Sequence, residues 1–119
     1  MADKGRIARF KKGLHAERYA SAYLMLKGYR ILEQRYKTPA GEIDIIARRG
    51  KTFVFIEVKA RTDITKAIES ITPHQRRRIE RAASLYASNL KANPPLRFDA
   101  VLVAGWKLKH IRSAWRYGE

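Results

Sequence analysis

Two carboxylates and a lysine in the middle of the chain have the types and the spacing to act together: Asp44, Glu57 and Lys59. They lie in two β-rich segments on either side of a basic turn at Gly50, a pattern that predicts a hairpin. Because side chains alternate between the faces of a strand, Glu57 and Lys59 share one face. A reversal at Gly50 places Asp44 opposite Glu57. Two carboxylates that close repel each other unless a cation lies between them, so we expect a divalent metal site.

Hydrolysis of a phosphodiester bond is a specific use for such a group. The reaction needs charge neutralisation at phosphorus and an activated water. Asp44 and Glu57 offer the hard oxygen ligands that Mg²⁺ (or Mn²⁺) prefers, and Lys59 can orient the water or stabilise developing charge. The alternative is an exposed ion-pair ladder, in which a carboxylate bonds to Lys59 or Arg61 in solvent and contributes little stability. We predict catalytic roles for Asp44, Glu57 and Lys59.

The overall charge indicates the kind of partner. The chain has 26 Lys and Arg against 11 Asp and Glu, a formal net charge of +15. Such an excess on 119 residues favours nucleic acid as a partner, with DNA first, over an anionic membrane or a merely solubilising surface. No membrane span is expected. The absence of cysteine excludes disulfides and thiolate metal sites, and it makes the cytoplasm the expected compartment.

The N-terminal quarter predicts an arm followed by a helix. Residues 1–12 are basic with few apolar positions, which predicts a flexible arm that either contacts phosphates or is simply disordered. Residues 13–28 have apolar residues at helical spacing. Glu17 lies on the edge of that apolar stripe. From the residues alone, a glutamate favoured by the helix dipole is the preferred explanation, and a metal ligand is the alternative.

The remaining segments alternate between strand and helix patterns. They are an edge strand at 29–37, the hairpin at 42–59, a polar loop with weak helical character at 61–72, a helix at 73–90, a buried strand at 96–104 and a last edge strand at 106–115. The helix that connects the hairpin to residues 96–104 makes parallel pairing the expectation there. A mixed sheet flanked by helices results.

A basic cluster lies at the start of the second long helix. Arg76, Arg77, Arg78 and Arg81 crowd its first turns, where positive charge opposes the helix dipole. Bound phosphate would offset that cost, and a solvated basic face is the alternative. Gln75 precedes the cluster and can reach a site at the end of the sheet. The predicted nucleic-acid-binding residues are Arg61, Gln75, Arg76, Arg77, Arg78 and Arg81.

Two features near the C-terminus are assigned to structure instead of chemistry. Asp99 is embedded in a predicted buried strand, where pairing with Arg97 or another base is favoured over a catalytic role. Trp115 and Tyr117 are expected to pack, and stacking on nucleobases is the alternative.

Three motifs resemble those of the YraN-like family of small bacterial proteins. They are Gly13-Leu14-His15-Ala16-Glu17-x-x-Ala20, Gly41-Glu42-Ile43-Asp44-Ile45-Ile46-Ala47 and Phe55-Ile56-Glu57-Val58-Lys59-Ala60-Arg61. The resemblance covers nearly the whole chain, and the pairing of Gly-Glu-Ile-Asp with Glu-Val-Lys-x-Arg is specific. Ile43 stands where the superfamily motif has a proline, and residues 62–72 lack a Phe-Gly pair typical of the family.

The resemblance implies a fold and a set of roles. The family belongs to the restriction-endonuclease-like superfamily and is similar to archaeal Holliday-junction resolvases, in which a helix glutamate, a strand aspartate and a Glu-x-Lys motif bind metal and cut DNA. Carried over, the metal ligands are Glu17, Asp44 and Glu57, and Lys59 is catalytic. The implied fold is α/β, a restriction-endonuclease-like mixed sheet of about five strands in the order αβββαββ, within a single nuclease-like domain at 13–119. A homodimer is implied as well.

The leading functional hypothesis is therefore a Mg²⁺-dependent endonuclease that hydrolyses DNA phosphodiester bonds, with branched or damaged DNA in recombination or repair as the candidate substrate. The first rival is a non-catalytic nucleic-acid-binding protein on a nuclease-like fold. The second is an RNA- or ribosome-associated factor. Acids that converge on one face argue against both rivals, because a surface that only binds phosphate is better without them.

Overall fold

The structure, a computed structural model, describes residues 4–119 and the side chains from residue 13 onward. Its elements are α1 (Lys4–Leu26), β1 (Arg30–Lys37), β2 (Glu42–Arg49), β3 (Thr52–Ala60), α2 (Ile64–Glu69), α3 (Pro73–Ala87), β4 (Leu96–Ala104) and β5 (Lys107–Trp115). The predicted order of helices and strands is confirmed, with one short helix, α2, added before α3.

One five-stranded sheet carries the strands in chain order, β1-β2-β3-β4-β5. Neighbouring strands are antiparallel except β3 and β4, which are parallel. Helices α2 and α3 form the crossover between those two strands, and a parallel pair requires such a connection. The predicted fold class, a five-stranded mixed sheet flanked by helices, is confirmed. Between residues 4 and 119, no helix is long and apolar enough to cross a membrane.

The N-terminal prediction needs a correction. Helix α1 begins at Lys4, so residues 4–12 are helical and do not form the flexible arm predicted for residues 1–12. The segment is rich in Lys, Arg and other residues of fair helix propensity and has no proline. A helix nucleated further along the chain can therefore propagate back through it. Residues 1–3 of the predicted arm lie outside the described residues.

Two apolar cores lie on opposite faces of the sheet. Helix α3 covers a core that includes Ile46, Phe55, Phe98, Ile79, Ala82 and Ala83. Helix α1 covers the other, which includes Ala16, Ala20, Leu24, Ile45, Val54, Ile56 and Val101. Both faces of β3 and β4 are thus buried, as their long apolar runs require.

Strands β1 and β2 pair irregularly, with a register shift between Ile31 and Glu33 and a change of faces around Arg35. Gln34 pairs with Ile45 in register, and Tyr36 pairs with Ile43. The first pair lies on the α1 side, where Gln34 donates to Ser21 and Ile45 joins the core, whereas Tyr36 and Ile43 pack in the core beneath α3. A positive φ of 53° at the intervening residue, Arg35, accompanies the change. A non-glycine residue in that region is strained, and such strain is frequent at functional sites.

Candidate active site

The hairpin register brings Asp44 and Glu57 together. Ile45 pairs with Ile56, so Asp44 and Glu57 are the next residues outward on β2 and β3. The Val58 N–H donates a hydrogen bond of 2.8 Å to Asp44 Oδ2, which holds that carboxylate against β3. Glu57 is only 6% exposed. The alternative explanation of a solvated ion-pair ladder therefore does not describe Glu57.

The electrostatics of this pair favour a bound proton or cation. Burial, reinforced by the hydrogen bond to Asp44 and its negative charge, raises the pKa of Glu57 to about 10, although Lys59 acts in the opposite direction. At neutral pH Glu57 therefore keeps a proton next to the Asp44 carboxylate. A divalent cation placed between the two carboxyl groups would displace that proton, since metal ligands bind in their deprotonated form.

Lys59 faces the same site but does not neutralise it. Its Nζ lies 4.0 Å from Glu57 Oε1, at the outer limit of an ion pair, and its side chain is 15% exposed. Arg61, the other base considered for a ladder, donates from Nη1 to the Ala60 carbonyl at 2.7 Å. Of these two bases, Lys59 is the one in contact with the carboxylate pair, and its side chain is largely shielded from water.

Glu17 reaches the site from α1 and is held by Arg35 on β1. Both Nε and Nη2 of Arg35 donate to Glu17 Oε2, at 3.0 and 2.8 Å. Burial raises the pKa of Glu17, the Arg35 hydrogen bond lowers it, and repulsion by Asp44 contributes to a net increase. Glu17 therefore lies within electrostatic range of Asp44 while its carboxylate is engaged elsewhere.

Arg35 is the site residue that sequence reasoning missed. It lies in the segment predicted as an edge strand, and no local signal marks one arginine of a basic chain as the partner of a helix glutamate. Its position depends on the packing of α1 against β1 and on the positive φ that turns its backbone. Both depend on tertiary structure and neither is visible in residue spacing.

These side chains line a cavity of about 800 Å³ at one end of the sheet. Its polar lining comes from α1, β1, β2, β3, the segment after β3 and α3. It consists of Glu17, Arg35, Lys37, Glu42, Asp44, Glu57, Lys59, Arg61, Thr62 and Gln75. The volume is ample for a hydrated metal ion and a phosphate group.

Gln75 is placed in the cavity by the start of α3. Thr72 caps that helix by accepting a hydrogen bond of 3.2 Å from the Gln75 N–H, and Pro73 occupies the first turn. The Gln75 side chain then donates from Nε2 to Glu57 Oε2 at 3.4 Å. The glutamine thereby orients the buried carboxyl group.

The donor set fits a magnesium-type ion with two protein carboxylates. Among the side chains that the structure describes, no group of three or more acids or histidines is close enough to hold a metal ion. Mg²⁺ commonly takes one or two carboxylates and keeps several waters, so Asp44 and Glu57 suffice. Val58 also lines the cavity, and its carbonyl oxygen is a candidate third donor. Both Arg35 hydrogen bonds end on Glu17 Oε2, so Oε1 is the Glu17 oxygen that could join.

The structure divides the predicted arginine cluster. Arg76 lies over the ring of Trp115, 5.7 Å from its centre, and its buried Nε has no hydrogen-bond partner among the described residues. Arg77 and Arg81 are exposed on α3. Arg76 therefore contributes to packing, while Arg77 and Arg81 are free to meet phosphates. The nucleic-acid-binding role of this cluster stays a prediction.

Arg78 explains the glycine of the Gly-Glu-Ile-Asp motif. Its Nε donates to the Ala40 carbonyl at 3.2 Å, which ties α3 to the turn before β2. A Cβ atom on Gly41 would lie 3.1 Å from the Arg78 carbonyl oxygen. Glycine at this position lets the turn approach the helix backbone and so fixes the start of the strand that carries Asp44.

Asp99 is buried in a saturated network on the α1 side of β4. Arg97 donates to both carboxylate oxygens at 2.8 Å, His110 Nε2 lies 2.7 Å from Oδ2, and the Ser113 N–H donates to Oδ1 at 3.0 Å. Burial alone would raise the pKa of Asp99, but these hydrogen bonds outweigh it and lower the pKa overall. The predicted pairing with Arg97 is confirmed.

The two C-terminal aromatic residues differ. Trp115 is 3% exposed, stacks on Phe98 at 5.4 Å and donates from Nε1 to Glu80 at 3.2 Å. Its predicted packing role is confirmed. Tyr117 is largely exposed, with its ring 6.3 Å from Phe98.

Comparison with known proteins identifies the family. Residues 16–103 match the model of "Uncharacterised protein family UPF0102". The chain is 50% identical over 116 residues to a UPF0102 protein of Rhodopseudomonas palustris strain HaA2, covering 92% of this chain and 88% of the relative. It is 48% identical over 118 residues to one of Bradyrhizobium diazoefficiens, covering 97% and 89%. The chain belongs to the UPF0102 (YraN) family, which is part of the restriction-endonuclease-like superfamily.

Proposed function

We propose that this UPF0102 protein is a metal-dependent endonuclease that hydrolyses DNA phosphodiester bonds with Mg²⁺ or Mn²⁺ held by Asp44 and Glu57. The observation that carries the proposal is a glutamate that is 6% exposed and has a pKa raised to about 10, hydrogen-bonded to a second carboxyl group. Such a pair destabilises a fold unless it binds something. Strongly perturbed acids in a cleft are candidates for catalytic residues.

The side chains of the cavity divide the work. When bound, the divalent ion supplies positive charge that favours attack at phosphorus. Asp44, fixed by the Val58 N–H, and Glu57, oriented by Gln75, provide its ligands. Lys59, with its Nζ 4.0 Å from Glu57, is positioned to orient the attacking water or to stabilise charge on the phosphate oxygens.

The charge of the chain supports a polyanionic substrate. A net charge of +15 attracts DNA to a cavity whose acids would otherwise repel phosphate. Similarity to Holliday-junction resolvases makes branched DNA the first substrate to test and a homodimer the expected working form, since paired cuts need two-fold symmetry. Damaged DNA is the second substrate to test, and the cytoplasm is the proposed location.

One observation favours a non-catalytic alternative. Arg35 binds Glu17 through two hydrogen bonds, so the third acid predicted from the resolvase pattern is occupied by a cation of the protein itself. A nucleic-acid-binding protein that has lost catalysis would keep the fold and the positive charge with such an arrangement. It would bind DNA or RNA in a salt-dependent manner without cleavage.

A cleavage assay separates these functions. Labelled four-way junctions and linear duplexes are incubated with Mg²⁺ or Mn²⁺ and with wild type, Asp44→Asn, Lys59→Ala or Glu69→Gln. Glu69→Gln is the control, because it removes an exposed acid of α2 that does not line the cavity. We expect wild type and the control to cut, and Asp44→Asn and Lys59→Ala to lose about 100-fold or more. Equal activity in all four proteins would contradict the proposal.

A further inference from the structure

The turn between β4 and β5 carries an exposed tryptophan that packing does not explain. Trp106 is 82% exposed, whereas Trp115, the second of the two tryptophans in the chain, is 3% exposed. A large aromatic side chain left in water at a turn loses the stabilisation that burial would supply. One exposed apolar side chain is ordinary, whereas a contiguous exposed aromatic patch can mark a surface that binds something.

Two aromatic rings of α1 support Trp106 from the side. The ring of His15 meets it edge-on at 6.2 Å and 82°, and the ring of Tyr19 does so at 6.4 Å and 76°. The Tyr19 hydroxyl also donates a hydrogen bond of 2.8 Å to the Trp106 carbonyl. The turn is thus tied to the helix, and Trp106 is presented to solvent on a fixed support.

This aromatic cluster, defined as His15, Tyr19 and Trp106, borders the cavity. On α1, His15 lies two residues before Glu17, and Ala16 lines the cavity between them. On the sheet, Arg61 also lines the cavity. Its backbone N–H donates a hydrogen bond of 3.0 Å to the carbonyl of Val103 on β4, and Val103 lies three residues before Trp106. The cluster therefore lies on the rim where α1 meets the end of β4.

The surroundings of the cluster suit a nucleic acid strand. Arg18, Lys107 and Lys109 are exposed within a few residues of its members, and the exposed Arg61 lines the cavity that contains the carboxylate pair. Basic groups that track a phosphate backbone beside an exposed aromatic ring are typical of single-strand binding. In a continuous duplex both faces of an interior base are covered by neighbouring pairs, so stacking on Trp106 requires an unpaired base.

We propose that Trp106, supported by His15 and Tyr19, is a stacking platform for an unpaired nucleobase of DNA. A DNA strand held in this way would run its phosphate backbone past Arg61, and Arg61 lines the cavity. Cleavage of the bound strand depends on the proposed endonuclease function, whereas stacking of its base on Trp106 does not. The inference narrows the substrate class to DNA with unpaired bases, such as flaps, branch points or single strands next to a duplex.

Tryptophan fluorescence without divalent ions tests the platform apart from catalysis. Because Trp115 is buried, quenching on addition of DNA reports on Trp106. The probes are a short thymidine oligonucleotide, an abasic strand of the same length and a fully paired duplex, all in EDTA. We expect quenching by the thymidine strand only. Variants at this position lack the reporter, so their binding is measured by the fluorescence anisotropy of labelled strands. Trp106→Ala should bind the thymidine strand about 10-fold more weakly and the duplex equally well, the size expected for one base–aromatic stack.

Two further variants keep the test specific. Tyr117→Ala removes another exposed aromatic residue, one that does not line the cavity. This variant should leave the preference for unpaired bases unchanged. Trp106→Phe should restore most of the preference lost in Trp106→Ala, because a smaller ring still stacks. A thymidine strand that does not quench wild type, or that binds Trp106→Ala as tightly as wild type, would overturn the platform.

The outcomes also separate this inference from the proposed function. Wild type that cleaves DNA in Mn²⁺ while Trp106→Ala keeps its binding preference would overturn the platform and leave the endonuclease standing. If wild type never cleaves DNA but shows Trp106-dependent quenching, the endonuclease proposal is overturned and the stacking platform stands.

Discussion

Asp99 and Glu57 are buried carboxylates on the neighbouring parallel strands β4 and β3. Asp99 pairs in register with Ile56, the residue before Glu57. Asp99 is 0% exposed and accepts hydrogen bonds from an arginine, a histidine and a backbone N–H. Glu57 is 6% exposed and has a second carboxyl group as its neighbour, with a lysine at 4.0 Å. The pKa is lowered in the first case and raised in the second.

The difference distinguishes a structural acid from one available for chemistry. A buried charge that is fully paired is stable in place and has no capacity left for a ligand. A buried acid beside another acid is destabilising by itself and becomes favourable when a cation arrives. The same sheet thus supplies an internal reference, Asp99, against which the role of Glu57 can be measured.

The largest expected effect is on stability, at Asp99. Asp99→Asn removes the negative charge with which the Arg97 guanidinium pairs, so the free energy of unfolding should fall by about 3–5 kcal/mol. Because the pKa of Asp99 is lowered from 3.8, its contribution is present above that pH and is lost as pH falls through the folded-state value. Urea denaturation at neutral pH measures the loss, and acid titration measures its pH window.

Two results would contradict a purely structural role for Asp99. A loss below about 1 kcal/mol would show that the network around Asp99 contributes no more than a surface ion pair. A variant that folds but binds Mn²⁺ much more weakly than wild type would give Asp99 a role in the metal site.

The second expected effect has the opposite sign, at Glu57. Its pKa is raised from 4.5 to about 10, so the folded state holds a proton that the unfolded state has lost. Without divalent ions, wild-type stability should therefore fall as pH rises between those values. Glu57→Gln removes this dependence, so its free energy of unfolding should rise relative to that of wild type by up to about 4 kcal/mol between roughly pH 5 and pH 8.

Thermal unfolding in EDTA across this pH range measures the Glu57 effect. Glu42→Gln, an exposed acid of β2, is the control and should follow wild type at every pH. If Glu57→Gln is less stable than wild type at the upper end of the range, Glu57 is ionised and paired in the folded protein, and the contrast with Asp99 disappears.

The smallest expected effect on stability is at Arg35. The side chains of Arg35 and Glu17 are 36% and 18% exposed, so Arg35→Gln should cost less than about 1 kcal/mol. The same change removes a positive charge near the cavity and releases Glu17. Mn²⁺ affinity should therefore rise several-fold, as calorimetry can measure. Unchanged affinity would mean that Glu17 has no part in metal binding, and Glu17→Gln in the same background provides the check.

Local patterns predicted much of the fold. Alternating side chains, the turn at Gly50 and the crossover helix were enough to place Asp44 opposite Glu57 and to make β3 and β4 parallel. The pairing of Asp99 with Arg97 was also visible, because residues two apart on a strand share a face. These features depend on residues near one another in sequence or on rules of strand connection.

What sequence reasoning missed depends on tertiary packing. The extension of α1 to Lys4 follows from propagation of a helix whose stable part lies later in the chain. The short helix α2 lies where only weak helical character was predicted, and its cap is Asp63, which accepts a hydrogen bond of 2.8 Å from the Thr65 N–H. The bond between Arg35 and Glu17, and the support of Trp106 by α1, join residues 18 and 87 positions apart.

Calorimetric titration of Mn²⁺ into wild type and Glu57→Gln tests the metal site most directly. The central claim is that the Asp44–Glu57 pair binds a divalent cation in exchange for a proton. Wild type should bind one ion per site with release of a proton, so the measured heat should depend on the ionisation heat of the buffer. Glu57→Gln should lose the binding, while Glu69→Gln, at an exposed acid that does not line the cavity, keeps it. Equal binding by wild type and Glu57→Gln, or no binding by wild type, would contradict the account.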